Sequence, residues 1–362
     1  MLLYLHIPFC HRICPYCSFY KHTPGKTPIG EFIRALSLEA ETRGKDLAPT
    51  TLYLGGGTPS MLSPKHLTDL FTSLRRAFDF SILKEITLEA NPATFDLAKA
   101  KLFRELGVTR VSLGIQSFEP HVLETLGREH SPEQAADSVS ILREAGITSV
   151  NIDLMFSIPG QSLADWENTL TRAISLRPDH ISAYNLTYEE DTAFFESLQK
   201  GTYQENEDHD ADHYHLAEQL LTDAGFDHYE TSNYAQPGHH SQHNQGYWQG
   251  SAYLGLGPSA VSTLGDTRHR NIPDTAAFVR QVTSIGNAIH ETETLTPAQR
   301  RIELIALGLR TTAGIPLELL DPQSLEKARN LSSEKLLTLT ESRLHLTALG
   351  RPLVDPIAAE LI

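Results

Sequence analysis

The sequence predicts an α/β protein: a partial (β/α)6 barrel of the TIM type, followed by a smaller, mainly helical C-terminal domain. Two observations carry this. From residue 2 to about 190, short β-branched and aliphatic runs alternate with amphipathic stretches, and such alternation gives a parallel sheet with helices outside. Polar and glycine-rich residues then follow each run at its carboxyl end. In a β/α barrel those ends share one rim, where sites are built. A doubly wound open sheet would instead concentrate its site behind a G-x-G-x-x-G turn, which the sequence lacks. Six units fall short of eight, so the barrel is partial.

The predicted strands are Leu2–Ile7, Thr51–Leu54, Glu85–Leu88, Arg110–Ile115, Ser149–Leu154 and His180–Leu186. Between them lie helical patterns such as "EFIRALSLEAETRG", "PKHLTDLFTSLRRAF" and "EQAADSVSILREAG". Gly107 and Gly146 stand where helix C-caps belong, each just before a new strand. The strands are followed in turn by "HIPFC", "GGGTPS", "EANP", "IQSF", "DLMFSIPG" and "TYEED". Beyond residue 190 the pattern changes. "NEDHDADHYHLAEQLLTDAGF" reads as one helix whose acidic first turn suits the helix dipole. The Gly-, Pro- and aromatic-rich segment after it reads as loop and short strand, and helix resumes from Asp274. "LLTLTESRLHLT" is a predicted hairpin, or wing, and a final helix follows Ala348. The division into domains is drawn at residues 1–235 and 236–362.

Composition narrows the function classes. The chain has 362 residues, 40% hydrophobic and 21% charged, which describes a soluble globular protein with ample core material. No apolar run approaches the ~20 residues of a membrane span. "MLLYLHIPFC" reads as an opening strand rather than a signal peptide. With its thiols gathered in one loop, the chain is expected in a reducing cytoplasm. A formal charge of −15 argues against nucleic acid as a partner.

All three cysteines, Cys10, Cys14 and Cys17, lie in "HIPFCHRICPYCSFYK" with the spacing C-x3-C-x2-C. Thiolates so close on a loop can wrap one face of a cubane cluster, leaving one iron open. Three buried thiols or a partial zinc knuckle are the bland alternatives. His6 and His11 flank the motif, but neither fits a zinc-ribbon spacing. "GGGTPS" brings backbone close to a ligand at the end of the second strand. Glu89, Gln116, Arg128 and Asp153 are polar groups within or beside apolar runs, and buried polar groups need partners.

The C-x3-C-x2-C motif on a first barrel strand resembles the radical S-adenosylmethionine superfamily. That resemblance implies a [4Fe-4S] cluster on Cys10, Cys14 and Cys17, with S-adenosyl-L-methionine on the fourth iron and reductive cleavage to a 5′-deoxyadenosyl radical. It implies cofactor contacts from Gly56, Gly57, Thr58, Glu89, Gln116, Arg128 and Asp153. "YLHIPFC" is similar to the coproporphyrinogen-oxidase-like branch and adds Tyr4. Within that branch the oxygen-independent coproporphyrinogen III dehydrogenases carry a longer segment before the cysteines and a further cysteine two residues after the third. Here that place is Phe19. "YETSNYAQPGHHSQHNQGYWQG", with H-N-x-x-Y-W, and "ELIALGLRTTAGI" resemble instead a family of haem chaperones. The resemblance implies haem as ligand, His243 as a candidate axial ligand, and acceptor haemoproteins, membrane-associated ones included, as partners. It leaves a homodimer open. The rival is an enzyme running radical chemistry on a tetrapyrrole. His209 and His213, spaced i, i+4, read as a solvated acidic helix face, and His239 and His240 stay unassigned.

Overall fold

The computed structural model describes residues 1–25 and 27–362. Its first half is built of β1 (Leu2–Ile7), α1 (Ile29–Arg43), β2 (Thr51–Gly56), α2 (Pro64–Ala77), β3 (Glu85–Ala90), α3 (Leu97–Glu105), β4 (Arg110–Gln116), α4 (Pro120–Thr125), α5 (Pro132–Glu144), β5 (Ser149–Phe156), α6 (Leu163–Ser175) and β6 (His180–Asn185). These six strands pair in parallel and in chain order. Successive residues of a strand face opposite sides. The register aligns Leu5, Leu54, Leu88, Val111 and Val150 in one row, and all five are fully buried. That row faces the helices. The alternate residues, Tyr4, His6, Tyr53, Glu89, Ser112, Asn151 and Asp153, are polar and line the inner face. Helix entry is set by side-chain caps: Ser131 and Ser162 each close a capping box, with Gln134 and Asp165.

α7 (Ala193–Gln199) and α8 (Glu207–Asp223) lead to the antiparallel strands β7 (Asp227–Glu230) and β8 (Asn233–Ala235), which extend the β6 edge. α9 (Gln242–Trp248) follows. β9 (Tyr253–Leu256) then returns to pair in parallel with β1. β10 (Val261–Leu264), β11 (Thr267–Asn271) and, after α10 (Thr275–Ile285), β12 (Ile289–Thr294) complete the opposite edge. The result is one twelve-stranded sheet whose terminal strands do not pair with each other, a barrel left open. Residues 236–294, assigned from sequence to the C-terminal domain, therefore share the barrel sheet, and Leu254, Leu256, Phe278, Val282 and Ala288 share its core. A separate apolar cluster begins at Ile305. It joins α11 (Pro297–Gly308), β13 (Ile315–Pro316), α12 (Pro322–Ser333), β14 (Leu337–Leu339), β15 (Arg343–Leu346) and α13 (Val354–Leu361). The three short strands form the wing, in the order β13-β15-β14. No helix among the described residues is long and apolar enough to cross a membrane.

A buried charge ties the late strands to α1. Glu39 accepts from the Gly257 N–H at 2.8 Å, from the Asn271 amide at 2.7 Å and from Arg43 at 3.2 Å. Arg43 also donates to Ser262 Oγ at 3.0 Å. Burial pushes the Glu39 carboxyl up, and the Arg43 guanidinium is the main force opposing it. Arg43→Met is expected to cost about 2 kcal/mol in denaturant unfolding, the worth of a charged hydrogen bond whose buried partner keeps its other two donors. A loss below ~0.5 kcal/mol would show the pair to be dispensable.

Candidate functional site

The cysteine loop leaves β1 at the carboxyl rim. It is held by its backbone: Cys10 N–H donates to His22 O at 3.0 Å, His22 N–H to Pro8 O at 2.8 Å, and Cys17 N–H to Cys14 O at 3.3 Å. Tyr20 fastens the loop to the start of α10, accepting from the Thr275 N–H at 2.7 Å. His6 is committed to the same task. Its Nε2 lies 2.6 Å from the Tyr20 carbonyl, which can only accept, so that nitrogen carries the proton. Nδ1 then accepts from the Tyr4 hydroxyl at 3.0 Å. Burial lowers the imidazole to about 4, so it is neutral. Both nitrogens are occupied, and His6 is a strut of the loop rather than a fourth ligand. All three thiols are free and half-buried. Burial pushes Cys10 and Cys17 up, with Thr58 opposing at Cys10 and Lys21 at Cys17.

The glycine segment lies against this loop. Gly57 N–H donates to Ile7 O and Thr58 N–H to Phe9 O, each at 2.7 Å. Two glycines are required by close approach. A Cβ on Gly57 would sit 2.7 Å from Phe9 O and 2.8 Å from Ile7 O, and one on Gly56, at φ +104°, would sit 2.5 Å from the His6 ring. A chain of polar contacts crosses the rim from there. Thr58 Oγ1 lies 3.6 Å from Cys10 Sγ and accepts from Asn91 at 3.0 Å. Asn91 Oδ1 accepts from Arg128 at 2.6 Å, and Arg128 also reaches Gly114 O at 2.5 Å and Cys14 Sγ at 3.5 Å. The Arg128 Nε is buried without a protein partner, as suits a guanidinium edge that meets an anionic group.

The inner wall adds two carboxylates. Glu89 accepts from the Tyr53 hydroxyl at 2.8 Å and from the Gly56 N–H at 3.0 Å. Burial raises it to about 7, with the Asp153 carboxylate adding to the rise. Asp153 is held by Ser112 at 2.8 Å and Asn151 at 2.7 Å, and burial raises it too. Gln116 ends β4 in a left-handed conformation, φ +71°, where the pairing with β5 slips by a residue. The fold thus brings Tyr4, Gly56, Gly57, Thr58, Glu89, Arg128 and Asp153 together on the inner face beside the cysteines, with Gln116 near Arg128 at Gly114. Three thiols, a backbone cradle, a guanidinium and two acids suit a three-cysteine cluster and a zwitterionic cofactor.

The sequence reading passed over Tyr53, Asn91, Ser112 and Asn151. For Tyr53, Ser112 and Asn151 the signal was period-two alternation inside parallel strands, as in "TLYLGG" and "VNIDL", which marks a polar inner wall, and Asn91 stands just past β3 in "EANP".

His243 lies at the other end. It sits on α9 against the amino ends of β2 and β3: its Nδ1 is 2.8 Å from Thr51 Oγ1, and Glu85 accepts from the N–H groups of Gln242 and His243 at 3.1 Å. Its ring is fully buried between Tyr53, at 5.0 Å, and Tyr247, at 4.8 Å. Burial alone lowers it to about 3. The Nε2 is covered and unpartnered. In this conformation α9 closes the barrel floor, and a macrocycle reaches His243 only if the helix withdraws. His240 stacks on Tyr229 at 4.2 Å, and His239 lies 3.8 Å from Asp179. His209 borders solvent, but His213 does not lie on a solvated face: it is fully buried, stacked on Phe156. The helix turns it inward because Trp166 and Phe156 need cover there.

Comparison with known proteins agrees with this geometry. Residues 4–173 match the radical SAM superfamily model, and residues 295–353, spanning α11 to the wing, match the HemN C-terminal domain. The solved coproporphyrinogen III oxidase HemN of Escherichia coli superposes with a TM-score of 0.87 at 26% identity, covering 99% of this chain and 89% of that one. The haem chaperone HemW of Bacillus subtilis is 34% identical over 98% of this chain and 97% of its own. This chain belongs to the HemW family of radical SAM proteins. The HemW of Mycobacterium tuberculosis is 36% identical, covering 99% of this chain and 94% of the other. A mitochondrial radical S-adenosyl methionine domain-containing protein 1 from Danio rerio is 33% identical, covering 99% and 86%. Membership of the superfamily implies a [4Fe-4S] cluster and S-adenosylmethionine, and the thiols and cradle of this HemW-family chain fit both.

Proposed function

We propose that this protein is a haem chaperone, which binds haem and passes it to acceptor haemoproteins. The carrying observation is near-full-length similarity to proteins named haem chaperone HemW, at 34% and 36% identity, against 26% for the coproporphyrinogen oxidase. Phe19 supports the same side: it stands in the cysteine loop, 68% exposed, where the dehydrogenases carry a further thiol. Cys10, Cys14 and Cys17 hold the cluster, which when bound supplies one-electron reduction and an open iron for chelation. Gly56, Gly57 and Thr58 receive the cofactor's amino acid end through backbone groups. Tyr4, Glu89, Gln116, Arg128 and Asp153 line the remainder. His243 is the axial ligand, presented to haem when α9 leaves the floor.

Reconstituting the cluster anaerobically and offering haem and coproporphyrinogen in parallel tests the reading. The expected result is a haem absorption band that moves to an acceptor apoprotein, with no carbon dioxide released from the porphyrinogen. Decarboxylation accompanied by 5′-deoxyadenosine would instead make the protein a coproporphyrinogen dehydrogenase.

A further inference from the structure

The rim and the floor of the barrel are joined through one strand. β2 carries Thr51, Tyr53 and Gly55 in a column on its inner face, and Gly56 at its end. Thr51 meets His243 Nδ1 at 2.8 Å. The Tyr53 ring lies 5.0 Å from the His243 ring and stacks on Tyr4 at 6.1 Å. The Tyr53 hydroxyl donates to Glu89 Oε1 at 2.8 Å, and Glu89 Oε2 accepts from the Gly56 N–H at 3.0 Å. There is no slack in the column. A Cβ on Gly55 would sit 2.8 Å from the Tyr53 ring and 2.9 Å from Glu89 Oε1.

We propose that Tyr53 is a positioning residue that couples the S-adenosylmethionine cleft at the rim to His243 at the floor, so that each ligand weakens the other's binding. This rests on the haem-chaperone reading. For His243 to meet haem, α9 must withdraw, and with it goes one wall of the Tyr53 ring. The Tyr53 hydroxyl is then no longer fixed on Glu89, and Glu89 no longer holds the Gly56 amide in its cradle orientation. Cofactor in the cradle selects the closed floor in return. Coupling requires an element with two arrangements. The proposal assigns that role to α9, a helix of seven residues. Its docked state buries the His243 Nε2 with no partner, a penalty that narrows the gap to the open state. Gly246, packed so that a Cβ would sit 2.7 Å from Leu2, holds the docked state against that penalty.

Cluster-loaded protein is titrated calorimetrically with S-adenosylmethionine, with and without haem, and with haem by absorbance, with and without S-adenosylmethionine. Each ligand is expected to weaken the other by the same factor, roughly fivefold to a hundredfold, since linkage is reciprocal. Tyr53→Phe keeps the ring and loses only the hydroxyl. With the hydroxyl gone Glu89 is already unfixed, so the variant is expected to bind S-adenosylmethionine alone about as weakly as haem-loaded wild type does, while the coupling factor falls toward one. A merely structural tyrosine would shift both affinities and leave their ratio. Thr51→Val, which frees His243 from β2, is expected to strengthen haem binding and shrink the factor from the other end. Independent binding in the wild type, or undiminished coupling in both variants, overturns the proposal and leaves the chaperone reading standing. Failure to bind haem at all overturns that reading and the proposal with it.

Discussion

Replacing Cys10, Cys14 or Cys17 singly by serine is expected to leave a folded protein that takes up no cluster. Serine keeps the volume of the side chain but not the soft thiolate an iron–sulfur cluster requires. Three thiols are the whole supply, so no spare can move in. The fold should survive, because the loop is held by backbone bonds, Cys10 to His22 and His22 to Pro8, and by the His6 and Tyr20 struts. The sulfurs add only long contacts, Thr58 to Cys10 at 3.6 Å and Arg128 to Cys14 at 3.5 Å. Iron and acid-labile sulfide per chain after anaerobic reconstitution should fall to background. The apoprotein melting temperature should stay within about 2 °C of wild type. A serine variant that loads to the wild-type level would remove that cysteine from the ligand set.

How far this site could be read before the fold was known depends on the distance between its parts. Cys10 to Cys17, Gly55 to Thr58 and Glu89 each sit where a predicted strand ends, and one rim collects strand ends. The six strands themselves were legible because their outward residues are aliphatic along most of each strand. Two features were not. β9 pairs with β1 across some 250 residues of chain, as Leu3 with Leu254, and nothing in "AYLGLG" announces so remote a partner. α9 lies under the barrel for the same reason: its dock is Thr51, Glu85 and Leu2, none near it in sequence. H-N-x-x-Y-W was therefore legible as a motif, while its burial was not. His213 shows the same limit, since a helix face rich in acid still turns one histidine to the core.

Glu89→Gln is expected to make the apoprotein more stable and the cofactor cleft weaker at once. In the fold Glu89 titrates at about 7, against an ordinary value of 4.5, chiefly because burial disfavours its charge. A carboxyl raised in this way binds more protons folded than unfolded between those two values. The stability it supports is complete below pH 4.5 and is lost as pH rises through 7. Above pH 7 the loss amounts to about 3 kcal/mol, an order-of-magnitude figure from the displacement. Glutamine removes the charge and keeps the shape. Its carbonyl can accept from the Gly56 N–H while its amide donates to the Tyr53 hydroxyl, which can accept as well as donate. Urea unfolding of the apoprotein should therefore give a variant about 2–3 kcal/mol more stable than wild type at pH 8, with the advantage vanishing near pH 4.5. Glu230, which burial also raises to about 7, is present in both proteins, so its own pH slope cancels in the difference. The cleft pays for that gain, because in the role proposed for it Glu89 is the carboxylate partner of a cationic cofactor group. Calorimetric titration of the cluster-loaded variant should show S-adenosylmethionine affinity down by about tenfold to a hundredfold, the range of a charge-assisted hydrogen bond. Equal stability at pH 8 would mean that Glu89 is neutral or well solvated. Unchanged affinity would mean that it faces the barrel rather than the cofactor.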